Sequence, residues 1–258
     1  MKLKLFLTII VLCVFSCLLQ AQKTEKIRGS KLVTASSKEI KSFTAIEVED
    51  NIEIHLEKGA KNEIKTKEIQ GFKKLSIKVT YTNDLNLVTA KDESVINAIQ
   101  EMILDTITFK SLDKSKLFLN VNAGNFNLQA DDKSKIELNL KSETSFIELS
   151  KNSSLKALIN SSELKCDLYQ RATATIEGDA NMTNIRQDNA TELNARNFNS
   201  KNTDLAIEGN ATCILFAENT LVIDASNKTE IELFGEPKIE IRRFSGEAKL
   251  FKKLATKK

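Results

Sequence analysis

The feature that most constrains this chain is a repeat running from Asp113 to about Ile241. Small hydroxyl residues precede an apolar alternation at Ser115, Ser134, Ser153, Thr173, Thr191, Thr212 and Thr229, at spacings of 19, 19, 20, 18, 21 and 17 residues. The words around them match: DKSKL (113–117), DKSKI (132–136), KNSSL (151–155), NATEL (189–193), NATCI (210–214) and NKTEI (227–231). A unit of about twenty residues with two short alternating runs cannot bury its apolar face alone, so the units must stack as β coils.

Each coil carries a first run such as Leu117-Phe-Leu119-Asn-Val121 and a second such as Phe126-Asn-Leu128. Equivalent residues stack in such a fold. The expected first inward ladder is Leu117, Ile136, Leu155, Leu193, Ile214 and Ile231, with Asn189, Asn210 and Asn227 stacked at the turn. Residues 178–204 are rich in asparagine and poor in apolar positions, which makes those coils the weakest. The fold class read from this pattern is all-β, a right-handed parallel β-helix with coils of about 19 residues. It is entered through an N-terminal group of strands.

Upstream, Ile46 and Val48, then Ile52, Ile54 and Leu56, alternate with charged residues around an Asp50-Asn51 turn and predict two half-buried strands. Further strands are expected at 63–66, 75–81 and 85–89. Residues 92–104 break the alternation: Val95, Ile96, Ile99 and Ile103 recur near a helical period behind Asp92, which predicts a short helix or irregular cover. The expected organisation is a signal peptide over 1–21, a polar lead-in over 22–42 and an N-terminal β region over 43–112. The β-helix repeats follow over 113–251, with a basic tail over 252–258.

Residues 1–21 read as an export signal. Lys2 and Lys4 precede an apolar run from Leu5 to Leu19, and Leu19-Gln20-Ala21 ends it. Cleavage after Ala21 is the leading reading. Two alternatives stand beside it: a retained membrane anchor, short for a span at about 15 residues, and a lipoprotein signal with Val14-Phe15-Ser16-Cys17 as an irregular lipobox. In the last case Cys17 is the acylated residue and the route to a membrane. Cys13 and Cys17 lie in this leader, leaving Cys166 and Cys213. Three coils at about 4.8 Å each put those two about 14 Å apart, beyond disulfide reach, so two unpaired buried thiols are expected.

Little here points to catalysis. His55 is the single histidine and alternates outward between Ile54 and Leu56. One histidine and two distant cysteines do not make a zinc site or a nucleophile–histidine pair. Asp131-Asp132, with Asp113 one coil earlier, is the one acid pair in the repeats suited to acid–base chemistry or Ca²⁺. It falls in the slot occupied later by Lys151, Arg171 and Asn189, which reads as a solvated turn. The Asn-x-Ser/Thr words at Asn152, Asn160, Asn181, Asn189, Asn210 and Asn227 are explained by the same turns. The net charge of +3 falls to about +1 without Lys2 and Lys4, which speaks against nucleic acid as partner. The basic run from Lys238 to Lys258 reads as protection of an open solenoid end, since lysines discourage further strand pairing.

The opening Phe43-x-x-Ile46-x-Val48, then Ile52-x-Ile54-x-Leu56-x-x-Gly59, resembles the start of the auto-transporter adhesin head GIN domain family of exported bacterial β-helical proteins. The twenty-residue coils resemble its body. Glu230-Ile-Glu-Leu-Phe-Gly235-Glu-Pro237-Lys-Ile239 with Ser245-Gly246 is similar to its closing segment. The coil turns depart from the family's Ser-Gly, being Asn-Ala-Thr, Lys-Asn-Ser or Asp-Lys-Ser here. The resemblance implies a β-helix outside the cytoplasm with an adhesin-like role, and carries over no catalytic, cofactor or metal residue. The expectation is a non-enzymatic protein of the periplasm, outer membrane or cell surface, whose partner is a glycan or an envelope or host surface protein. The rival readings are a polysaccharide-binding or polysaccharide-cleaving β-helix using Asp131 and Asp132, and a structural periplasmic component.

Overall fold

A computed structural model describes residues 33–69 and 76–254; residues 1–21, expected to be an export signal, lie outside the described residues, as does Cys17. Among the described residues, sixteen strands are joined in one sheet system. The body is built from β7 (Val95–Ser111), β8 (Lys116–Ala130), β9 (Lys135–Leu149), β10 (Ser154–Leu168), β11 (Thr173–Gln187), β12 (Glu192–Ile207) and β13 (Thr212–Ala225). Each contains both runs of one coil and pairs in parallel with the next, so the coils stack into a β-solenoid of about ten turns.

The alternation of each strand explains the core. Odd positions of β8 from Leu117 to Val121 point in and are buried, while Phe118 and Asn120 point out. The register stacks Leu117, Ile136, Leu155, Ala174, Leu193, Cys213 and Ile231 in one inward row. Leu128, Ile147, Cys166, Ile185, Leu205 and Ile223 form another. Full burial of each Leu or Ile contributes about 1.5–3 kcal/mol. Cys213, not Ile214, occupies the first row, because Thr212 stacks on Glu192 and Cys213 on Leu193; the one residue this coil gains lies in β12, between Asn194 and Phe198. Cys166 and Cys213 are free and buried, as their spacing implied.

The coils are closed by four-residue turns whose two central residues both have positive φ: Asp113-Lys114, Asp132-Lys133, Lys151-Asn152 and Gln170-Arg171. The N–H of the fourth residue donates to the carbonyl of the first, as from Ser115 to Leu112 at 3.0 Å and from Ser134 to Asp131 at 3.1 Å. These are type I′ turns. Left-handed backbone is unfavourable for lysine and arginine. It is offset here because the turn N–H of Lys114, Lys133 and Asn152 donates to a turn carbonyl of the following coil, at 3.0–3.2 Å.

The residue after each turn pair is fully buried: Ser94, Ser115, Ser134, Ser153, Ala172, Thr191, Ala211 and Thr229. Thr173 and Thr212, assigned to this row from the sequence, stand one residue later, and alanine takes their place in it. The expected stack of Asn189, Asn210 and Asn227 is likewise displaced. Gly209 stands against Asn189, close enough that a Cβ on it would lie 2.9 Å from the Asn189 nitrogen.

The N-terminal strands add their own coil. β2 (Ala45–Val48) pairs in parallel with β6 (Leu87–Ala90), and β3 (Glu53–Lys58) with β7. Beyond β3 lie β5 (Ser76–Tyr81), parallel to it, then antiparallel β4 (Glu63–Ile69) and β1 (Val33–Glu39). The lead-in therefore contributes an edge strand. The short helix expected over 92–104 is absent. Most of this stretch is strand β7, whose register against β8 jumps between Ala98 and Met102. Two extra residues bulge out there, leaving Ile99 74% exposed while Ile96, Ala98, Met102 and Leu104 face the core.

The weak coils are filled in part by hydroxyls. Ser200 Oγ donates to Thr183 Oγ1 at 2.7 Å and accepts from Thr203 Oγ1 at 2.8 Å, all three buried. At the far end, β14 (Glu230–Phe234) and β15 (Lys238–Phe244) both pair with β13, and β16 (Lys249–Lys252) pairs with β14.

Candidate functional site

Asp131 and Asp132 sit at the turn edge, and both are engaged by the next coil. Asp131 Oδ1 accepts from the Asp132 N–H at 2.8 Å and from Ser150 Oγ at 2.9 Å. Lys151 Nζ lies 2.8 Å from Asp131 Oδ2 and 3.7 Å from Asp132 Oδ2. Burial works to raise the Asp131 carboxyl, but Lys151, the Asp132 N–H and Ser150 together hold it below its ordinary range. A carboxyl held ionised in this way has no proton to lend at neutral pH, so it is a poor general acid. Its geometry is that of a clasp between coils.

The same edge carries stacked left-handed residues Asp50, Asp92, Asp113 and Asp132, then Lys151, Gln170 and Asn189. Arg171 belongs to the neighbouring row with Lys133 and Asn152, and its Nε donates to Asn152 Oδ1 at 3.0 Å. Glu93 is paired with Lys114 at 2.9 Å, which holds the carboxyl below and the amine above its usual value. The shallow trough along these turns, about 720 Å³, is lined by Glu93, Lys114, Asp132 and Lys151, which are paired from coil to coil, together with Asp50, Asp92, Asp113 and Lys133.

His55 lies on β3 with its side chain 43% exposed and Nε2 3.5 Å from Glu53 Oε1. Among the described residues no three His, Cys, Asp or Glu side chains converge as metal ligands. Burial pushes the Cys166 thiol up to about 12 and raises Cys213 as well, so neither is a nucleophile at neutral pH.

The larger concavity is on the outward side of the first runs. A groove of about 810 Å³ crosses coils β7 to β11 and is lined by Asn97, Phe118, Asn120, Asn139 and Leu158, among others. Its middle is ordered by an amide ladder. Asn139 Nδ2 donates to Asn120 Oδ1 at 3.0 Å, and Asn120 Nδ2 donates to the Ile99 carbonyl at 3.3 Å. Phe118 is half-buried, and Ile99 and Leu158 are 74% and 46% exposed at the groove. A smaller groove of about 490 Å³ on the second-run side holds Phe146, with Lys165 Nζ 4.7 Å above its ring centre, and exposed Met182.

Sequence reasoning assigned none of these residues to a binding surface and placed Ile99 in an expected helix or irregular cover. The signal that marks them is apolar residues at outward positions of a strand, as at Phe118, Phe146 and Leu158, where solubility asks for polar ones.

The family model described as "Putative auto-transporter adhesin, head GIN domain" matches residues 63–237. The chain belongs to this family. Solved structures of similar fold support the architecture of this head GIN domain protein. A protein of Parabacteroides distasonis ATCC 8503 described as a "putative lipid binding protein" has a TM-score of 0.60 at 12% identity, over 87% of this chain and 98% of that one. A "putative adhesin" of the same organism gives 0.52 at 13% identity over the same shares. Another "putative adhesin", from Parabacteroides merdae ATCC 43184, gives 0.51 at 16% identity over 87% and 97%. At such identities the likeness speaks for the fold. No curated protein is significantly similar to the chain.

Proposed function

We propose that this head GIN domain protein is an exported, non-enzymatic binding protein of the bacterial cell envelope or surface with an adhesin-like role. Its ligand-binding surface is the groove of the first runs. The observation that carries this reading is the combination of Phe118 with the Asn139–Asn120–Ile99 amide ladder in one open groove across several coils. A ring face beside fixed amides suits a polar, mostly uncharged polymer, and a glycan fits that description. The groove is open along the stack, so an extended chain can lie across successive coils spaced about 4.8 Å apart. The engaged state of Asp131 favours binding over cleavage.

Arrays of glycans and extracellular matrix proteins, probed with the purified chain, test the proposal. Binding is expected, with loss of at least about tenfold in affinity for Phe118→Ala. The Asp131→Ala/Asp132→Ala double variant is expected to bind as the parent does. Binding that survives Phe118→Ala but disappears in the double variant overturns the groove assignment and favours the turn edge.

A further inference from the structure

The two ends of the solenoid are finished differently. At the N-terminal end, β5, β4 and β1 extend past β3 and cover the first-run side. At the other end the last coil is open. Every residue of β15 is exposed, although its register places Ile239 on Leu221, Ile241 on Ile223 and Phe244 on Ala225, all three of the lower residues fully buried. Ile239, Ile241 and Phe244 are thus core-row residues that remain 40%, 53% and 40% exposed. β15 pairs only with β13, and β16 only with β14, so each has an unpaired edge among the described residues. Such an edge beside apolar core residues is a template for strand addition.

Charge does not block this end. The basic side chains there reach back to acids of earlier coils: Arg243 to Asp224 at 2.5 Å, Lys249 to Glu230 at 2.9 Å, Lys253 to Glu232 at 3.0 Å and Lys252 to Glu236 at 3.1 Å. Two further observations select the partner. Arg242 holds Asp204 at 2.8 Å and comes within 4.0 Å of Glu240 in its own chain. Because Glu240 and Arg242 flank Ile241, two β15 strands paired antiparallel about Ile241 also place Glu240 of each copy across from Arg242 of the other. A head-to-tail stack would lay β15 on the outer edge of β2, which pairs only with β6 among the described residues, but it would drive β16 into β5, β4 and β1 on the first-run side. A contact of the open end with itself closes after two copies.

We propose that two copies of this chain pair end to end through the open last coil, with β15 antiparallel to β15 and the Ile239, Ile241 and Phe244 rows packed together. The pairing continues the solenoid core from one copy into the other and leaves the grooves of both exposed along one rod.

Sedimentation velocity on the chain as purified from cells tests this, with circular dichroism to confirm folding of each variant. A dimer is expected at micromolar concentration. Ile241→Lys, at an exposed position, is expected to weaken it at least about tenfold. Glu240→Arg and Arg242→Glu are each expected to weaken it too, and the combined exchange to restore it. A monomer at all concentrations, a dimer untouched by Ile241→Lys, or a combined exchange that fails to restore pairing would overturn the proposal.

Discussion

Gly178 lies so close to the Ile159 carbonyl of the preceding coil that a Cβ on it would stand 2.1 Å from that oxygen, at a φ of +109°. The contact is backbone on backbone, so no side-chain rotation relieves it. Glycine is required there both by the approach and by the left-handed φ. Gly178→Ala is expected to destabilise the protein by at least about 2 kcal/mol. A lower denaturation midpoint by circular dichroism checks it; an unchanged midpoint would mean that the corner shifts freely.

The buried row after the turns makes an opposite prediction. Ser134 Oγ and Ser153 Oγ are buried with no hydrogen-bond partner, and the same row already accepts alanine at 172 and 211. Removing an unsatisfied hydroxyl relieves its desolvation penalty. Ser153→Ala is therefore expected to leave stability unchanged or raise it by up to about 1 kcal/mol. Ser115 bonds Ser111 at 2.8 Å, so Ser115→Ala is expected to cost more. Thermal melts of the two variants decide the order.

Cys166 and Cys213 are both fully buried with thiols raised by that burial. A thiol reagent at neutral pH is expected to label neither in the folded protein and both in denaturant. Rapid native labelling would contradict the packed inward rows.

The Asp131 clasp gives a pH dependence of known sign. Its carboxyl titrates below the ordinary value when folded, so its contribution is complete above the unfolded value and is lost as pH falls through the folded one. With Lys151 half exposed, that contribution is under about 1 kcal/mol. The stability gap between the parent and Asp131→Asn is expected to be constant at neutral pH and to close below about pH 4. A gap that persists in strong acid would assign the effect to packing instead.

The repeat was legible because the coil length barely changes from β8 to β11, so matching words recur in phase. Where a residue is inserted the phase slips, and the reading slipped with it. The residue inserted in β12 between Asn194 and Phe198 makes that coil 20 residues long, whereas matching Thr212 to Thr191 implies 21, so Cys213 stands in the row expected for Ile214. The bulge at Ile99 in β7 spread apolar residues at four-residue intervals, which imitates a helix although the backbone is extended. Outward apolar residues such as Phe118 and Leu158 are a local sign of the groove, but its shape was not legible. It depends on which outward residues become neighbours across coils, as Asn120 and Asn139 do, and that follows from register rather than from local pattern.

The most direct test of the binding account is labelling of intact cells with an antibody raised against the folded chain. Surface exposure predicts labelling before the envelope is opened. Labelling that requires the outer membrane to be permeabilised would contradict the adhesin-like role and leave a periplasmic one.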